Sequence, residues 1–159
     1  MPIHRRRFLR AVALVAALSA YATIVLGGTV RGMGAGLACP DWPLCHGSVV
    51  PDLADPSVAV EYAHRLAAAL TSLFFLITLA VVLLWFRSEP RLMILSVLSF
   101  AILVTQVGFG ALTITSQLDW VVVTAHLALG TATFASALLL TVFSLRPPEG
   151  GRTEELSAT

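Results

Sequence analysis

The chain has 159 residues, of which 57% are hydrophobic and 12% charged, with a formal net charge of +1. A soluble domain carries about 25% charged residues, so this composition excludes an ordinary soluble fold and points to one small integral membrane domain. The basic residues are ten arginines and no lysine, and outside a short N-terminal cluster they form no patch, which excludes nucleic-acid binding.

Four apolar segments follow one another, at about 8–30, 61–86, 92–115 and 121–145. Each exceeds the ~20 residues that cross a bilayer as a helix, and lipid leaves the backbone no partner but itself, so each is a helix. The connections 87–91 and 116–120 are short, which makes the second and third, and the third and fourth, antiparallel neighbours. The first connection, about 31–60, is long. Arg5, Arg6, Arg7, Arg10, Arg87, Arg91, Arg146 and Arg152 fall on one side. The positive-inside rule therefore puts both termini in the cytoplasm and the long first loop outside. The predicted fold is all-α: a polytopic four-helix transmembrane bundle over 1–145. A Pro/Gly-rich polar cytoplasmic tail, expected to be disordered, follows at 146–159.

The start, Arg5-Arg6-Arg7-Phe8-Leu9-Arg10 before an Ala/Val/Leu run, has features of an export signal. The apolar run outlasts the ~7–15 residues of a signal core, so a retained first helix is the simpler reading. Five glycines between Gly27 and Gly36 are expected to break that helix. Next comes Cys39-Pro40-Asp41-Trp42-Pro43-Leu44-Cys45-His46-Gly47, which holds both cysteines. A disulfide is favoured on the oxidising side. A Cys-Cys-His metal site, at a spacing that matches no common zinc pattern, and a redox-active pair are the other readings. Asp55-Pro56-Ser57 has the form of a helix start, with Asp55 as N-cap and Pro56 at the first helical position.

Glu61, His64 and Arg65 then share one helix face, three and four residues apart. Ionisable groups in a membrane segment are costly and mark function by default; the plain alternative is an interfacial ion pair. The third segment carries Gln106-Val107-Gly108-Phe109-Gly110, where the buried amide of Gln106 wants a partner across the bundle. Asp119 is a plausible N-cap for the fourth, which contains His126. His64 lies nine residues past Asp55 and His126 seven past Asp119, so the two differ in depth by about 3 Å. Small residues follow each, Ala67, Ala68 and Thr71 after His64, and Gly130, Thr133 and Ala137 after His126. Cofactor sites in helical bundles are built from side chains on facing helices, and two imidazoles with cleared faces suit a haem iron. A proton relay and a structural histidine pair are the alternatives.

The pattern Gly34-x-Gly36-x-x-Cys39-Pro40-Asp41-Trp42-Pro43-Leu44-Cys45-x-Gly47, then Glu61-Tyr62-x-His64-Arg65, Gln106-x-x-x-Gly110 and Ala125-His126-Leu127, resembles the haem A synthase family of cytochrome oxidase assembly proteins. That family is built on four-helix transmembrane bundles, usually duplicated into eight helices. The resemblance implies a membrane oxidoreductase that oxidises a methyl group of haem O to a formyl group by successive oxygen-dependent hydroxylations. It implies His64 and His126 as iron ligands, Glu61 as the catalytic carboxylate beside the substrate haem, Arg65 as a further cofactor-binding residue, and Cys39–Cys45 as the outer-loop disulfide. It also implies a multi-pass protein of a prokaryotic cell membrane, working beside a haem O synthase and an electron donor. The duplicated members carry two histidine pairs, one for substrate and one for a haem b cofactor. This chain carries one pair, so a homo-oligomer is expected to restore both. A b-type electron carrier and a non-catalytic haem-handling factor are the alternative functions.

Overall fold

A computed structural model describes residues 3–145. Four helices account for most of them: α1 (Ile3–Gly32), α2 (Pro56–Trp85), α3 (Pro90–Thr115) and α4 (Trp120–Leu145). Among the described residues there is no strand, only an isolated bridge between Cys45 and Ser48. All four helices are long and apolar enough to cross a membrane. The tail expected at 146–159 lies outside the described residues.

The helix boundaries depart from the apolar runs because capping chemistry, not hydropathy, ends a helix. α2 begins at Pro56 rather than 61, where the Asp55 carboxylate accepts from the Ser57 amide at 2.8 Å and proline occupies the first turn at no hydrogen-bonding cost. The charged group Glu61-His64-Arg65 therefore sits inside the helix, past its first turn. At α4 the Asp119 carboxylate accepts from the amides of Val121 and Val122 at 3.0 and 3.2 Å. α1 starts at Ile3, five residues before its apolar run, and it does not break at Gly27: the helix continues through Gly27 and Gly28 to Gly32. A helical glycine costs about 1 kcal/mol against alanine, so its place inside α1 calls for a packing reason, which the site supplies.

The helices pack in a ring, α1 on α2, α2 on α3, α3 on α4 and α4 on α1, so α2 and α4 are diagonal. At the end where α1 begins, Leu9, Ala13, Val81, Val82, Phe86, Leu92 and Leu140 form one buried cluster. Arg6 pairs there with Glu89, and Arg10 Nε donates to the Ser144 carbonyl at 3.0 Å. Midway, Ala16, Ala17 and Ala20 of α1 meet Phe75, Leu103 and Ala137. Alanines let backbones approach closely where lipid offers no hydrophobic drive. The outward faces carry Leu18, Leu66, Leu84, Leu98 and Leu127, all at least half exposed, which suits hydrocarbon and would be an aggregation liability in water. The α2–α3 seam is the most open, with a groove of about 340 Å³ lined by residues including Leu76, Phe100 and Val107.

At the other end, residues 33–55 form the connection between α1 and α2. The α3–α4 turn supports it: a Cβ on Gly36 would stand 3.1 Å from the Leu118 side chain, so the loop backbone lies directly on that turn.

Candidate functional site

His64 belongs to α2 but is held by α1. Its Nδ1 lies 3.1 Å from the Thr23 carbonyl oxygen. A carbonyl can only accept, so Nδ1 carries the proton and Nε2 keeps the lone pair, the arrangement by which a backbone carbonyl orients a metal-ligating imidazole. The ring lies against Gly27, where an added Cβ would stand 3.0 Å from its Cε1. That contact is the packing reason for a glycine inside α1. Nearby, the Thr23 and Thr71 hydroxyls share a hydrogen bond of 3.0 Å and pin the two helices together.

His126 is placed in a parallel way by α3. Its Cε1 would stand 3.3 Å from a Cβ on Gly110, and its Nε2 is 3.5 Å from Gln106 Nε2, at the outer limit of a hydrogen bond. Gln106 in turn fits against α4 only because Gly130 has no side chain: a Cβ there would be 3.0 Å from its Nε2. His126 Nδ1 and Gln106 Oε1 are buried and have no hydrogen-bond partner. Buried polar atoms without partners are rare and costly, and here two occur on touching side chains. The two imidazoles thus come from diagonal helices, each seated against a glycine of the neighbouring helix.

Glu61 is buried, and Arg65 Nε donates to its Oε1 at 2.9 Å. The remaining guanidinium nitrogens reach the loop. Nη1 donates to the carbonyls of Asp41 (2.7 Å) and Leu44 (2.6 Å), and Nη2 to that of Cys39 (2.8 Å). The loop presents these three carbonyls as a cage around the guanidinium. Cys39 and Cys45 are joined as a disulfide with Cα atoms 4.6 Å apart, buried against Val58, so neither sulfur is available as a thiolate metal ligand. The Asp41 carboxylate closes the same turn, accepting from the amides of His46 and Gly47, each at 2.7 Å. The Gly47 hydrogen bond is the largest influence holding that carboxyl below its ordinary range. The Trp42–Pro43 peptide is cis, and His46 has φ of 53°.

Thr23, Gly27 and the Asp41 carboxylate belong to the site's support and were not singled out from sequence. Gly27 left a signal, a glycine inside an apolar helix. Thr23 left none, because its contribution is a backbone oxygen.

Fold and site together define a multi-pass helical membrane bundle with a half-buried imidazole on each of two diagonal helices and a buried carboxylate on α2. The chain belongs to the family described as cytochrome oxidase assembly protein, whose profile matches residues 10–159. Among curated relatives, it is 31% identical over 139 residues to the Heme A synthase of Bacillus mycoides, covering 86% of this chain and 44% of that protein. It is 31% identical to that of Bacillus cereus strain AH187 over the same length. Against the Heme A synthase of Exiguobacterium sibiricum it is 30% identical over 120 residues, 75% of this chain and 40% of the relative. The chain thus spans about two-fifths of the length of the relatives it matches.

Proposed function

We propose that this chain carries out haem A synthesis, oxidising a methyl group of haem O to a formyl group by successive oxygen-dependent hydroxylations. The observation that carries this reading is the pair of imidazoles from diagonal helices, one with a buried nitrogen lacking any partner, beside a buried Glu61. The donor set fits haem: His64 presents the Nε2 lone pair, and His126 makes only a marginal contact with Gln106, so iron would complete bonding that the protein leaves incomplete. Family membership and three relatives named Heme A synthase support the same reading.

In this reading His64 and His126 would hold the iron of haem O, which would supply the conjugated ring that carries the reacting methyl. Gly27 and Gly110 keep room for the imidazoles, and Thr23 fixes the orientation of one. Glu61, poorly hydrated and next to His64 on α2, stabilises positive charge developing at the methyl carbon or moves a proton there. Oxygen activation is the chemistry a haem iron supplies, and a second haem of the b type is the candidate cofactor for it. A second copy of the chain would provide the second histidine pair. The placement proposed is a prokaryotic cell membrane, termini cytoplasmic and the disulfide loop outside, in the neighbourhood of a haem O synthase and an electron donor.

The test is haem extraction and chromatography from membranes that express the chain beside a haem O synthase, with and without His64→Ala. Haem A or its hydroxylated precursor, dependent on His64, is the expected result. Glu61→Gln should retain haem and lose haem A. Haem b alone or unaltered haem O, from a folded chain, would instead assign a carrier or a haem-handling module.

A further inference from the structure

The Cys39–Cys45 loop and Glu61 are joined through a single side chain. Arg65 donates from Nε to Glu61 and from its terminal nitrogens to the carbonyls of Cys39, Asp41 and Leu44. Two of those carbonyls lie between the bridged cysteines and one belongs to a bridged cysteine itself. The disulfide closes this short turn, and the Asp41 carboxylate closes it a second time through the amides of His46 and Gly47. Both partners of the ion pair are largely buried, with side chains 13% and 7% exposed. A buried carboxylate depends on its counter-ion, and a planar guanidinium can serve carboxylate and carbonyls at once only while the fork is held in one plane.

We propose that Arg65 is a positioning residue that couples the oxidation state of Cys39–Cys45 to the Glu61 carboxylate. With the disulfide intact, the carbonyl cage holds Arg65 on Glu61. Reduction by a dithiol adds two electrons and two protons to the cystine, and the dithiol leaves as a disulfide. The turn is then no longer closed covalently, its carbonyls disperse, and the Arg65 guanidinium loses the anchors that held it on Glu61. Glu61 is left without a fixed counter-ion at the place where the proposed chemistry needs it. The catalytic meaning of this coupling rests on the role proposed for Glu61. The coupling itself is measured with no haem substrate present, so the two can fail separately.

Thermodynamic linkage supplies the test. If the oxidised loop favours the Glu61–Arg65 pair, that pair must favour the oxidised loop by the same factor. The purified full chain is equilibrated in buffers of reduced and oxidised dithiothreitol, and its thiols are counted by alkylation and mass spectrometry. Both sulfurs are buried, so long incubation is needed, but the equilibrium is independent of rate. Glu61→Gln should make the disulfide easier to reduce by about tenfold, a rise of about 30 mV for a two-electron couple. An unchanged equilibrium in Glu61→Gln, whether or not Arg65→Lys shifts it, would reduce Arg65 to a loop staple and overturn the proposal. Should Glu61→Gln fail to fold, the wild-type chain gives the answer alone. A buried carboxyl without a counter-ion takes a proton rather than stay charged, and a hydrophobic carbodiimide reacts with the protonated acid. Labelling of Glu61 should rise several-fold once the thiols are shown to be reduced, and equal labelling in both states would again overturn the coupling.

Discussion

The Nδ1 of His64 lies 3.1 Å from the carbonyl oxygen of Thr23, so a backbone atom of α1 decides which nitrogen of His64 keeps its lone pair. The residues that do this work on α1 are a backbone oxygen and, one turn on, the missing side chain of Gly27. That division of labour, chemistry on α2 and α4 with support from α1 and α3, separates changes that lower stability from changes that lower haem binding.

Gly27 and Gly28 are adjacent and chemically identical, yet they should respond in opposite ways to alanine. At Gly28 an added Cβ meets nothing within 4 Å, so Gly28→Ala should gain helix propensity, up to about 1 kcal/mol. At Gly27 the Cβ would stand 3.0 Å from His64 Cε1, so Gly27→Ala must turn the imidazole. The expected result is raised thermal stability with unchanged haem affinity in Gly28→Ala, and no gain in stability with haem affinity lowered about tenfold in Gly27→Ala, read by haem titration and thermal denaturation of both variants.

Gln106→Leu offers a similar split by another route. The variant removes an amide whose Oε1 is buried without a partner, and discarding such a group is close to neutral or favourable for folding. It also removes the side chain that touches His126. Thermal stability within about 1 kcal/mol of wild type, together with a changed haem absorption spectrum, is expected. A spectrum identical to wild type would show that Gln106 plays no part in setting the His126 ring.

Removing both cysteines, as Cys39→Ala with Cys45→Ala, should destabilise the chain by about 2 kcal/mol. The bridged residues are six apart, and closing so short a loop places the chain-entropy gain near the low end of the usual range. The loss should concentrate in residues 33–55, visible as faster amide exchange there than in α3 or α4.

Acid should act on the loop before the helices through Asp41. The folded carboxyl sits below its ordinary range because the Gly47 and His46 amides donate to it. A depressed carboxyl contributes stability that is present above its unfolded value, about 3.9, and is lost as pH falls through the lower folded value. The loop is therefore expected to be insensitive to pH from neutrality down to about 4 and to loosen only below that. Amide exchange at His46 and Gly47 against pH checks this, and Asp41→Asn should remove the acid transition.

Much of the fold was readable from particular residues. Asp55-Pro56-Ser57 marked the start of α2 correctly, although hydropathy alone began it at 61, because a cap is a local hydrogen-bond pattern. The caps Asp55 and Asp119, from which the depths of His64 and His126 are counted, are both in place. Gln106 was correctly expected to look across the bundle. Arg65 was not readable: its partners lie 21 to 26 residues earlier in the chain, and backbone carbonyls carry no residue identity. The glycines at 27 and 28 were read as a break because local propensity says so, and tertiary packing overrode it.

The sequence by itself determined a bundle of four membrane-length helices, an imidazole on each of the second and fourth, a carboxylate one turn before the first of them, and a cysteine pair in the first loop. These follow from apolar length, capping residues and spacing along one chain, all of them local. Only the tertiary structure decided that Thr23 orients His64, that Gly27 and Gly110 make room for the rings, and that Arg65 belongs to the disulfide loop. Those relationships are contacts between backbone atoms and side chains distant in sequence, and they exist only once the helices have packed.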